Sequence, residues 1–286
     1  MKSIFLMLIF CCIAKCLQAQ EPDLAKIADS IQTEGETLYK SEWASWYGSD
    51  IFLEQCKSKA GSQAGYISYD NGKGLVNIFF SKDAEPLVLA TTTFAYGFDP
   101  QKYTLDTVQR KLNKTEKELH TIRQTVIKAM RTDTIYKSFK NSSLNPVPLI
   151  YKGNKKVYAL TGPNINGVVL FGNDYLVTFN KDNKIKSTVK LHNSLIPIEY
   201  TKSNNGNTTV LASVHNHVKN KSEFITVTDI CTIMLYEKFT TWNQCVVLSE
   251  KYTSIWDCKK NNLKIIPRSE WEKMNPLKNA LEGSKN

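Results

Sequence analysis

Ser213-Val214-His215-Asn216-His217, followed after eight residues by Thr226-Val227-Thr228-Asp229, is the stretch on which the reading of this chain turns. The β-branched and apolar residues of 208–214 predict a strand running into the histidines. On an extended segment residues two apart face the same side, so His215 and His217 present their imidazoles together. Thr226 and Asp229 stand where a helix begins, and an acid in a first turn suits the helix dipole. Strand, polar loop and helix start therefore bring two imidazoles and one carboxylate within reach of each other. Those are the three protein ligands of a zinc hydrolase, whose fourth position holds a water that loses its proton near neutral pH. The same four residues from Thr226 to Asp229 also read as an ordinary helix cap with no metal, and the string alone leaves both readings open. His120 and His192 have no comparable company, and His192 reads as a structural histidine or an outer partner of the site.

Outward from this segment, the hydrophobic pattern predicts a mixed α+β protein. Leu24, Ile27, Ala28 and Ile31 recur at helical spacing, predicting a helix over 23–45 that leads into Trp43 and Trp46. Apolar stretches at 65–69, 75–80 and 86–96 predict strands. Thr115-Glu116-Lys117-Glu118 reads as a capping box opening a helix whose Leu119, Ile122, Val126, Ile127 and Met130 form one stripe, with His120 on the surface beside Glu116. Residues 141–148 read as a loop dividing an N-terminal α+β region, 20–140, from a β-dominated domain, 141–276. In the second part strands are expected at 156–160, 167–171, 175–179, 184–191 and 208–214, with Asn180-Lys181-Asp182-Asn183 as a hairpin turn. A helix over 229–242, strands at 246–248, 254–256 and 263–266 and a helix from Ser269 follow, and 277–286 reads as a disordered tail.

The order strand, His-x-His, eight residues, Thr-x-x-Asp resembles the JAMM motif of MPN-domain metalloproteins, in which His-x-His precedes Ser-x-x-Asp by about eight residues. Gly167-Val168-Val169-Leu170-Phe171-Gly172 resembles the glycine-bounded strand that opens such domains. The His-x-His and Thr228-Asp229-Ile230-Cys231 segment also resembles that of a family of secreted bacterial proteins. The resemblance covers about residues 150–265 and implies an MPN-like domain, a central sheet flanked by helices. It implies zinc held by His215, His217 and Asp229, with Thr226 in place of the serine that assists the metal water or the oxyanion. The glutamate that accepts the water's proton in that family falls here on Pro163-Asn164-Ile165-Asn166, which contains no carboxylate. Glu199, the only glutamate between Glu118 and Glu223, is the candidate replacement, with Asp174 as a further possibility and Asp182 more simply a turn residue. The implied activity is hydrolysis of an amide or isopeptide bond, and the alternative is a non-catalytic MPN-like module.

Composition bounds the setting. Lys2, the apolar run 4–14 and Leu17-Gln18-Ala19 predict a secretory signal peptide over 1–19, and hence a secreted or periplasmic protein. Its removal takes Cys11, Cys12 and Cys16 with it, leaving Cys56, Cys231, Cys245 and Cys258, too few for a disulfide scaffold. The formal charge of +10 falls to +8 with the loss of Lys2 and Lys15. The lysines are scattered without interleaved aromatics, which argues against nucleic acid and for a solvated surface facing a protein or cell-envelope partner. No later stretch approaches the roughly 20 apolar residues of a membrane span.

Overall fold

The computed structural model describes residues 22–200 and 222–275 and, for 212–216, the backbone alone. Residues 1–21, where a signal peptide is expected, His217, most of the polar loop after it and the C-terminal residues 276–286 lie outside the described residues.

The chain is an α+β protein. Helix α1 (Leu24–Gln55) opens at Asp23, whose carboxylate accepts the Lys26 N–H at 3.0 Å. It runs past the expected end at 45 because Ile51 and Phe52 continue its buried side. Strands β1 (Gln63–Asp70), β2 (Leu75–Ser81), β3 (Leu87–Phe94), β4 (Tyr103–Asp106) and β5 (Arg110–Lys111) form an antiparallel sheet in the order β1-β2-β3-β4, with β5 also on β3. The first three are the strands the apolar stretches predicted.

Helix α2 (Lys114–Thr132) starts earlier than its sequence suggested. Asn113, not Thr115, is the cap, accepting the Glu116 N–H at 2.9 Å while Glu116 Oε2 accepts the Asn113 N–H at 2.7 Å. Asparagine makes the same reciprocal box as threonine. Leu119, Ile122 and Val126 are its buried stripe. His120 is half-buried rather than on the surface, packed edge-on to the Phe80 ring at 4.8 Å, and burial pulls its pKa down.

Strand β6 (Ser142–Tyr151) occupies most of the stretch expected to be a loop. Pro146 and Pro148 suggested the loop, since proline cannot donate to a ladder. The sheet order β10-β9-β7-β6 makes β6 an edge strand, where the missing donors face outward. Consistent with that geometry, the Pro146 carbonyl accepts from the Arg123 side chain rather than from a strand. The sheet is completed by β7 (Asn154–Pro163), β9 (Tyr175–Phe179) and β10 (Ile185–Lys190), and β8 (Val168–Gly172) pairs separately with β11 (Leu195–Glu199). Between β9 and β10 the predicted turn forms: Asn180 Oδ1 accepts the N–H groups of Asp182 and Lys184, and Asn183 adopts φ 60°.

The C-terminal part is a crossover. Strand β12 (Ala212–Asn216) leads to helix α3 (Val227–Tyr236), which returns the chain to β13 (Gln244–Leu248), parallel to β12 with His215 opposite Val247. Strands β14 (Tyr252–Asp257) and β15 (Asn262–Pro267) add an antiparallel hairpin, and α4 (Arg268–Met274) closes the described chain.

One core joins the first helix to this crossover: Leu38, Trp43 and Ala44 share it with Ile230, Ile233, Val247 and Trp256. The approach is close enough that a Cβ on Gly35 would lie 2.7 Å from Ile230 Cγ2, which only glycine avoids. A second core packs α2 between the first sheet and β7 and β9, through Phe80, Leu119, Ile122, Val157 and Val177.

Candidate functional site

Helix α3 begins at the cap the sequence predicted. The Asp229 N–H donates to Thr226 Oγ1 at 3.1 Å, and the Thr226 N–H donates back to Asp229 Oδ2 at 2.9 Å. The Thr226 hydroxyl donates to the same Oδ2 at 2.8 Å. Because α3 returns the chain to a strand parallel to β12, its first turn belongs at the carboxyl end of that strand, the usual place for a ligand in such crossovers. Chain connectivity thus brings the Asn216 end of β12 and the Thr226–Asp229 turn to one end of the crossover. The His215 side chain and all of His217 lie outside the described residues.

This cap differs from an ordinary one in its burial. A capping carboxylate normally sits at the surface, whereas Asp229 is 0 % exposed and Thr226 only 7 %. Beyond it lies His192, also buried, with Nε2 3.3 Å from Asp229 Oδ1 and Nδ1 3.6 Å from Asp174 Oδ2. His192 therefore lies between two buried carboxylates, one at each ring nitrogen. The three are not by themselves a metal cage: among the described residues no group of three His, Cys, Asp or Glu is arranged to hold an ion.

Two opposed turns build this cluster. Gly172, Asn173 and Asp174 form the corner between β8 and β9, with φ +97° at Gly172 and 55° at Asn173. A Cβ on Gly172 would stand 2.2 Å from the Ser194 carbonyl oxygen, so the turn closes only with glycine. The corner is pinned to the segment after β10 by Asn173 N–H to Ser194 O at 3.0 Å and Leu191 N–H to Asp174 O at 2.8 Å. That pinning sets His192 against Asp174. Asp174 Oδ1 accepts the Thr161 N–H at 2.8 Å, and burial pushes its pKa up to about 6 against the pull of His192, Thr161 and Thr228.

Glu199 falls elsewhere. It is exposed at the far end of β11, where it pairs with Val168, while Leu195 at the near end pairs with Gly172. Four residues of strand separate Glu199 from that corner by about 13 Å. The acid beside Asp229 is Asp174, and sequence reasoning gave it no priority. Its only signals were two turn strings at strand ends, Gly172-Asn173-Asp174 and His192-Asn193-Ser194. Cys231 is fully buried and its thiol is raised well above the usual range by burial, in keeping with a small core residue and not a nucleophile.

No helix among the described residues is long and apolar enough to cross a membrane. Comparison of the chain with protein-family models, with curated proteins and with solved structures finds no match.

Proposed function

We propose that this is a secreted or periplasmic zinc-binding protein of the JAMM kind that hydrolyses amide or isopeptide bonds in a protein or cell-envelope substrate. The observation that carries the reading is the burial of Asp229 against His192 and Asp174. A helix cap alone does not need its carboxylate removed from water beside a second acid, and such burial is costly unless the charges serve one another or a ligand. His215, His217 and Asp229 form a nitrogen and oxygen donor set suited to zinc, and they would hold it. A bound zinc supplies a water that is deprotonated near neutral pH.

The chain's own groups then have defined tasks. Thr226, through its N–H and hydroxyl, holds Asp229 Oδ2, and His192 Nε2 lies 3.4 Å from that oxygen and 3.3 Å from Oδ1. His192 fixes the carboxylate's orientation, as outer-sphere partners do for metal ligands. Asp174, not the distant Glu199, is the acid placed to take up a proton through His192, and its position replaces the carboxylate missing from 163–166.

The second reading, a non-catalytic binding module, is favoured by one observation: the Thr226 hydroxyl is committed to Asp229, so it is not poised to assist an oxyanion. Metal analysis of the folded mature chain tests the site, and absence of stoichiometric zinc at neutral pH refutes it. Zinc-loaded protein assayed on isopeptide-linked and linear peptide substrates separates the two readings. Turnover abolished by His217→Ala supports the hydrolase; stoichiometric zinc without turnover leaves the module.

A further inference from the structure

On the far side of β7 from Asp174, α1, α2, α3, β6 and β7 line an open cleft of about 760 Å³. This lies within the roughly 300–1,000 Å³ of small-molecule sites. Two of its wall residues are charged and more than nine-tenths buried: Glu42 on α1 is 4 % exposed and Arg123 on α2 is 8 % exposed. Neither is in an ion pair within 4.0 Å of any described residue, although each feels the other's charge.

Both have unused hydrogen-bonding capacity. Glu42 Oε2 accepts the Asn145 side-chain N–H at 2.8 Å, while Oε1 is buried without a well-aligned hydrogen bond, the nearby Ser45 hydroxyl giving only a weak pull on the carboxyl. Arg123 donates from Nε to the Pro146 carbonyl at 3.1 Å and rests 5.3 Å from the centre of the Tyr66 ring, and its terminal nitrogens make no hydrogen bond to any described residue. A guanidinium has five N–H donors in a fork matched to a carboxylate, so most of its capacity is open. Fold stability alone gives little reason to bury an acid and a base on one cavity without joining them, since each incurs desolvation that the other's charge offsets only in part.

The remaining wall is mixed, with Arg131, Ser143 and Thr232 as well as apolar side chains. Trp46 lies one helical turn from Glu42 on α1 and therefore on the same face, and Leu235 and Tyr236 approach from α3. We propose that this cavity binds a zwitterionic ligand of the amino-acid type, a free apolar amino acid or short apolar peptide. Its carboxylate meets Arg123, its ammonium meets Glu42, and its side chain lies along Trp46, Leu235 and Tyr236. The proposal is independent of zinc.

Calorimetric titration of the full mature chain, with and without added zinc, tests it using L-phenylalanine and L-leucyl-L-phenylalanine. The controls are the N-acetylated and C-amidated forms of each. One equivalent of free ligand is expected to bind, and either blocking group is expected to weaken binding at least about tenfold. Glu42→Gln, confirmed folded by circular dichroism, should erase the preference for a free amine while leaving that for a free carboxylate. Met130→Trp, a substitution at a half-buried position in the cavity wall, should abolish binding without requiring any change to Glu42 or Arg123. The proposal is overturned if folded parent protein binds neither free ligand at about 10 mM, well above the millimolar range of the weakest specific sites. It is equally overturned if blocked and free forms bind alike, or if neither substitution changes binding.

Discussion

Replacing Glu42 by glutamine should make the protein more stable at alkaline pH while changing little in acid. Burial pushes the Glu42 carboxyl from an ordinary 4.5 up to about 7, with Asn145, Arg123 and Ser45 pulling the other way. The folded state therefore holds this proton more tightly than the unfolded chain does. Stability from the protonated form is fully present below the unfolded value and is lost as pH rises through the folded one. Each pH unit between the two values is worth about 1.4 kcal/mol, so the parent loses about 3 kcal/mol from this group on going from pH 4.5 to above 7. Glutamine keeps an oxygen for the Asn145 N–H and never ionises. Urea unfolding of parent and variant from pH 5 to 8.5, followed by tryptophan fluorescence, should give curves that nearly meet in acid and diverge to about 3 kcal/mol in favour of the variant. Burial raises Asp174 as well, but Asp174 is present in both proteins and cancels in the difference. A stability difference that does not vary with pH would refute the reasoning. A variant that weakens as pH rises would refute it more strongly, since Glu42 would then be a favourably paired anion.

Asp229→Ala should destabilise the protein by about 2 kcal/mol even without metal, because it removes the capping box. His217→Ala should matter only when zinc is supplied, the parent alone gaining about 3 kcal/mol at zinc a hundredfold above its Kd; equal thermal shifts with and without zinc would sink the ligand role. Gly172→Ala should cost about 3 kcal/mol in urea unfolding, since its Cβ meets the Ser194 carbonyl at a positive φ; a cost near zero would show that the corner can relax. Cys245 on β13 and Cys258 just past β14, whose sulfurs lie 4.0 Å apart, should close to a disulfide in oxidised glutathione. The bridge should raise stability by about 3 kcal/mol for so short a loop, and alkylation of all four mature thiols after oxidation would contradict it.

Local signals carried much of the fold. Apolar stretches located β1, β2 and β3, asparagines placed the turn after β9, and Thr226 with Asp229 predicted the start of α3. Each depends on residues within a turn or strand of one another. Where the pattern misled, the missing information was a neighbour. Pro146 and Pro148 reside in a strand because no described strand pairs with the outer edge of β6, and His120 on α2 is covered because Phe80 arrives from the first sheet.

By itself the sequence determined the α+β character, the crossover's cap and the His-x-His arrangement that suggests a metal. Only the tertiary structure decided that Asp174 and His192 stand against Asp229, that Glu199 does not, and that Glu42 and Arg123 share a cavity. The reason is physical. Helix caps, turns and periodicity arise from interactions between near neighbours in the chain. A buried acid's partners are set by which turns the packed sheets bring together, and no spacing in the sequence encodes that.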